Sequence, residues 1–196
     1  MTADKINTKQ KVIAAAKNLF STHGYNGTTI DDIITSAGVT KGAFYHYFKS
    51  KQAICTEIID SIQSEYQNIF QSLPNDLNPL EKLKAVIREL LELNNSGQWS
   101  NCKLIMRLGC EANLLQTTVK QKLDGFWKWY TDQYRQLIMQ CRELKFTDDK
   151  LTEQQQVDLI VSLLIGNVWT KTVFDRSTDN KVIDTYTQLL GLQRVV

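Results

Sequence analysis

Proline is nearly absent, with Pro74 and Pro79 the only two in 196 residues. A chain with so few helix breakers can run through a long succession of helices. Histidine is as scarce: His23 and His46 both lie in the first 50 residues. The four cysteines, Cys55, Cys102, Cys110 and Cys141, form no CxxC pair. That spacing excludes a structural zinc site, so neither a metal nor a cofactor is expected. Beyond residue 51 there is no histidine, no metal-ligand cluster and no Gly-rich phosphate loop, which argues against a small helical enzyme. Apolar runs such as "IVSLLIG" at Ile160–Gly166 fall well short of the ~20 residues of a membrane span. The start, "MTADKINTKQ", lacks the apolar stretch of a signal peptide. No membrane partner and a cytoplasmic location are the expectation.

What is present is a helical pattern. Hydrophobic residues make up 42% of the chain, enough to bury a substantial core in one domain or two packed ones. Val12, Ala15, Ala16, Leu19 and Phe20 share one face of a first helix from about Thr8, and Gly24 and Gly27 end it. Thr28-Thr29 ahead of Asp31-Asp32 caps a second helix, which stops at Ala37-Gly38. Thr40–Tyr47 forms a third, and a longer helix runs from Lys51 to about Phe70, broken by "SLPNDLNP" at 72–79. Asn78-Pro79 with Glu81 opens another that reaches about Asn94. Further helices are expected over Ser100–Asn113, Gln116–Leu144, Thr152–Phe174 and Thr178–Leu190, with Gly191 closing the last. The fold class that follows is all-α.

Charge is unevenly placed. Residues 1–51 carry seven lysines against three aspartates, whereas the remainder carries 16 basic and 18 acidic residues. A polyanionic partner would bind the basic first quarter. There, Thr29–Ser36, the turn "AGV" and Thr40–Tyr47 have the lengths of a helix-turn-helix unit, whose second helix enters the DNA major groove. Gly38 falls where the turn needs a conformation that a Cβ hinders. Ile30, Ile33, Ala37, Val39, Phe44 and Phe48 can pack on the first helix, which leaves Lys41, Gly42, Ala43, Tyr45 and His46 outward. Small residues at 42 and 43 let the backbone approach base edges, while the ammonium, hydroxyl and imidazole groups reach phosphates.

The pattern F-x-x-x-G-Y-x-x-T-T-I-x-D-I-x-x-x-A-G-V-x-K-G-x-F-Y-x-Y-F-x-S-K over Phe20–Lys51 resembles the DNA-binding domain of the TetR family of bacterial transcriptional regulators. The resemblance implies a homodimer that binds a double-stranded DNA operator and answers to a small-molecule effector. It implies an N-terminal three-helix helix-turn-helix domain, residues 1–51, joined by a continuous helix to a helical effector-binding and dimerisation domain, residues 52–196. Position by position, Thr29 and Thr40 would cap their helices and touch phosphates, and Lys41, Gly42 and Ala43 would face bases. Tyr45 and His46 would hold phosphates across the groove, with Lys51 anchoring the DNA backbone from outside. Ile34 departs from the pattern, since the family often has a small residue there.

Beyond residue 52 the resemblance fades. Trp99, Cys102, Met106, Cys110, Phe126, Trp127, Tyr130 and Trp169 are the candidates for an apolar effector pocket, with Trp129 and Tyr134 beside them, although each could equally be core. Arg107 and Glu111, four residues apart, read as a surface ion pair or as polar handles in that pocket. An alternative to a reversible effector is a thiol-based redox or electrophile switch at Cys102 or Cys110, with Lys103 and Arg107 lowering the pKa of Cys102. These two cysteines lie roughly 12 Å apart along an intact helix, which forbids a disulfide between them. For dimerisation the resemblance implies a four-helix bundle from the last two helices, with Val157, Ile160, Leu164, Val168, Val182, Tyr186, Leu189 and Leu190 supplying the apolar faces.

Overall fold

The computed structural model describes residues 3–96, 101–148 and 150–193, with side chains from Thr8 onward. The helices are α1 (Ala3–His23), α2 (Ile30–Ala37), α3 (Lys41–Tyr47), α4 (Lys51–Gln71), α5 (Pro79–Asn95), α6 (Asn101–Cys110), α7 (Thr117–Glu143), α8 (Glu153–Phe174) and α9 (Val182–Leu189). A 3-10 turn at Ala112–Leu114 follows α6, and no strand occurs among the described residues. The all-α reading holds. Two helix starts follow the sequence signals closely. Asn78 accepts the Glu81 N–H at 3.0 Å, with Pro79 in the first turn, and Thr152 accepts the Gln155 N–H at 3.3 Å.

Other boundaries move. α1 starts at Ala3 rather than near Thr8. α9 is shorter than Thr178–Leu190 because Thr178 is held outside the helix. Its N–H donates to Asn95 Oδ1 at 3.0 Å, its carbonyl accepts from Asn95 Nδ2 at 2.8 Å, and its hydroxyl donates to Asn167.

The chain divides into two compact units, Met1–Ser64 with Lys103–Phe126, and Glu65–Cys102 with Trp127–Val196. In the first, α1 packs on α2 and α3 around Val12, Ala16, Phe20, Ile33, Phe44 and Phe48, and Ile54, Ile58, Leu108, Val119 and Leu123 are also buried. Lys9 pairs with Glu57 at 2.6 Å, and Lys122 pairs with Asp60.

In the second unit α5 packs against α8 and α9. Leu83, Val86, Ile87, Leu90 and Leu91 are buried along α5, as are Val157, Ile160, Leu164 and Val168 along α8. By length and composition α8 is apolar enough to cross a bilayer. Its polar side chains instead make tertiary bonds: Gln156 Nε2 donates to the Leu190 carbonyl at 2.6 Å, and Asn167 donates to the Tyr186 hydroxyl. A buried amide needs such partners, and here they lie on the segment that follows α8.

Candidate DNA-binding interface

Thr29 takes extended backbone angles before α2 and forms a reciprocal cap: its oxygen accepts the Asp32 N–H at 3.1 Å, while Asp32 accepts the Thr29 N–H at 2.8 Å. The Thr29 hydroxyl also donates to Asp32 at 2.7 Å. These bonds hold the Asp32 carboxyl below the ordinary aspartate range. α2 ends at Gly38, whose φ of 63° is left-handed and whose N–H reaches the carbonyls of Ile34 and Thr35. Thr40 then caps α3, its oxygen accepting the Ala43 N–H at 3.1 Å.

On α3 the faces separate. Phe44 and Phe48 are buried, whereas Lys41, Gly42, Tyr45 and His46 are exposed and Ala43 is half-buried. The Tyr45 ring stands edge-on to Phe44 at 5.3 Å, which steadies it. Lys49 Nζ donates to the Tyr45 carbonyl at 2.8 Å, satisfying the C-terminal turn. Lys41 lies 3.4 Å from Asp31 with both side chains largely exposed, an ion pair weak enough for a phosphate to displace.

Lys51 is placed differently from its neighbours. Its ammonium donates to the carbonyls of Tyr25 at 2.7 Å and Thr28 at 2.8 Å, and sits 4.3 Å from the centre of the Tyr25 ring. Burial lowers its pKa, opposed by Cys55 and Glu111. Two of its three N–H donors therefore secure the turn between α1 and α2.

The family model described as bacterial regulatory proteins, tetR family, matches residues 12–58. An HTH-type transcriptional regulator encoded in the lacX 3' region of Lactococcus lactis is 37% identical over 83 residues, which span 41% of this chain and 42% of that relative. The chain thus spans less than half the length of that protein. The HTH-type transcriptional regulator AcrR of Shigella flexneri is 30% identical over 169 residues, 81% of this chain and 75% of the relative. The chain belongs to the TetR family. A solved structure described as a fatty acid metabolism regulator of Clostridium perfringens shares the fold with a TM-score of 0.78 and 25% identity, covering 95% of this chain and 99% of that one. This is a family of transcriptional regulators, not of enzymes.

The residues expected to line an effector pocket divide between the two units. Trp99 lies outside the described residues. Cys102, Trp127 and Tyr130 fall in the second unit, where Tyr66 stands edge-on to Tyr130 at 5.3 Å and its hydroxyl meets Cys102 Sγ at 2.7 Å. Trp127 lies 5.8 Å from Tyr130, and Tyr134 donates to the Tyr130 hydroxyl at 3.0 Å. Phe70 joins the group against Trp129 and Tyr134. Sequence reasoning missed Tyr66 and Phe70, whose spacing of four residues on α4 was the available signal. Met106 and Cys110 belong to the first unit, Cys110 exposed, as does buried Phe126. Trp169, on the second unit, is 56% exposed.

Two further expectations change, and a third is met in one of its two forms. Burial pushes the Cys102 thiol up to about 11, with the Tyr66 hydrogen bond opposing, so Lys103 and Arg107 do not make it a thiolate. Arg107 and Glu111 form the expected ion pair at 3.4 Å, and the other Glu111 oxygen bonds Asn26 of the first unit rather than the tyrosine group. On α8 and α9 and just past α9, Val157, Ile160, Leu164, Val168, Tyr186 and Leu190 are buried within the unit, and of the expected dimer residues only Leu189 is exposed. Their helix stripe faces inward, while Trp169, Val173 and Phe174 remain outward.

Proposed function

We propose that the protein is a sequence-specific, operator-binding repressor that acts as a homodimer and is released by a small-molecule effector. The observation that carries this reading is the exposed face of α3, with Lys41, Gly42, Tyr45 and His46 outward above buried Phe44 and Phe48. In this reading Lys41, Gly42 and Ala43 meet base edges, and Thr29, Thr40, Tyr45 and His46 meet phosphates. Lys51 joins them with its remaining N–H, so that one ammonium ties the turn to the DNA backbone. Two copies of α3 would enter successive major grooves about 34–36 Å apart.

The second part of the chain, residues 52–196, holds the effector and the dimer contact. The tyrosine group of Tyr66, Tyr130 and Tyr134 supports an apolar, hydrogen-bonding effector there. The outward residues Trp169, Val173 and Phe174 of α8, with Leu189 of α9, support the dimer contact. The effector acts only by favouring the conformation whose α3 spacing fits DNA poorly.

The test is selection of duplexes from a random pool, followed by fluorescence anisotropy on the selected sequence across a salt series. A specific reader enriches a pseudo-palindrome, and Lys41→Ala together with Tyr45→Phe weakens binding to it. Recovery of unenriched DNA, or affinity unchanged in that double variant, would refute the reading.

A further inference from the structure

The turn between α1 and α2, which leads directly into Thr29, is gripped by charged groups on its two polar sides. From one side Lys51 donates to the carbonyls of Tyr25 and Thr28. From the other, Glu111 just after α6 accepts the backbone N–H of Asn26 at 2.9 Å and its side-chain Nδ2 at 3.0 Å. The turn's acceptors face an ammonium and its donor faces a carboxylate, an arrangement of charge-assisted bonds. Glu111 is well covered, with its side chain 16% exposed, and Arg107 lies 3.4 Å from its other oxygen. Gly24 completes the fit. Its φ is +82°, and a Cβ there would stand 2.0 Å from Glu111 Oε1, so the carboxylate occupies the space that a side chain at 24 would need.

These groups lie far apart in sequence, since Glu111 follows Asn26 by 85 residues. α6, the helix before it, begins with Asn101, which donates to Glu65, and Cys102, which meets Tyr66.

We propose that Glu111 is a positioning residue for DNA binding: its carboxylate fixes the Gly24–Thr28 turn and through it the Thr29 cap at the DNA-facing end of α2. This rests on the operator-binding reading above. It assigns Glu111 no contact with DNA, and the loss of its carboxylate should therefore weaken binding without changing the salt dependence.

The experiment uses the full-length protein and three variants, Glu111→Ala, Glu111→Gln and Arg107→Ala. Hydrogen exchange is followed peptide by peptide, and affinity is measured on the duplex that the wild type selects from a random pool. In Glu111→Ala the peptide covering Gly24–Thr29 should exchange about tenfold faster, with α5 and α8 unchanged. Operator affinity should fall about tenfold with the same salt slope. Glu111→Gln, which keeps a neutral acceptor, should fall between, and Arg107→Ala should match the wild type. Unchanged exchange in the turn, a rise spread evenly over the chain, or a local rise with full operator affinity would each overturn the proposal. If the wild type selects no sequence, the operator-binding reading fails, and exchange at the turn still decides whether Glu111 holds it.

Discussion

At Thr40 the hydroxyl oxygen accepts the Ala43 N–H, and its own proton remains for a phosphate. Thr40→Ala should lose about 1 kcal/mol of stability through the cap and weaken operator binding as well, while Thr40→Ser restores both. Urea midpoints and anisotropy separate the two effects. Tyr25 is the opposite case, a buried hydroxyl without a hydrogen-bond partner, its pKa pushed up to about 12 by burial and then by Cys55. Leaving such a group unpaired costs ~1–3 kcal/mol, so Tyr25→Phe should match the wild type or melt higher. A lower melting temperature would contradict this. Asp32 sets a pH limit. Its folded pKa lies below the ordinary value because of its bonds to Thr29, so its contribution is complete above about pH 4 and is lost as pH falls through the folded value. The α2 amides should therefore loosen in acid and not between pH 5 and 8, and Asp32→Asn should abolish that acid step in an amide titration.

Among the elements, two left-handed glycines distinguish local from tertiary constraint. Gly38 has open space where a Cβ would go, so Gly38→Ala costs only the backbone strain, ~1 kcal/mol. Gly24 shares the left-handed backbone and also faces Glu111, so Gly24→Ala should be the more destabilising of the two by thermal melting. The first of these constraints was legible from "AGV" alone; the second depended on a residue far along the chain. The same division explains the helix boundaries. Asn78 and Thr152 carry their caps in adjacent residues, but Thr178 is held out of α9 by Asn95 and Asn167, which no local pattern encodes.

For the whole molecule, the outward residues of α8 and α9 make the assembly testable. Trp169→Glu should shift the protein toward monomer in sedimentation at micromolar concentration while helical content stays the same. A dimer of unchanged stability would exclude that face. The cysteines give a second global readout. Cys55 and Cys141 are buried with their thiols pushed up to about 12, Cys102 is turned to Tyr66, and Cys110 alone of the four is exposed. At neutral pH the folded protein should therefore show one fast-reacting thiol per chain, absent in Cys110→Ser.

The sequence by itself determined the all-α fold and the separation of faces on α3, because caps, turns and helical periodicity are set by residues within one or two turns of each other. It also revealed the family, because the pattern over Phe20–Lys51 lies in one continuous stretch. Only the tertiary structure decided which stripe of α8 faces inward, that Lys51 bonds the α1–α2 turn, that burial raises the Cys102 thiol, and that Glu111 meets Asn26. Each of these depends on which distant group becomes the neighbour, and burial and charge act through neighbours in space rather than along the chain.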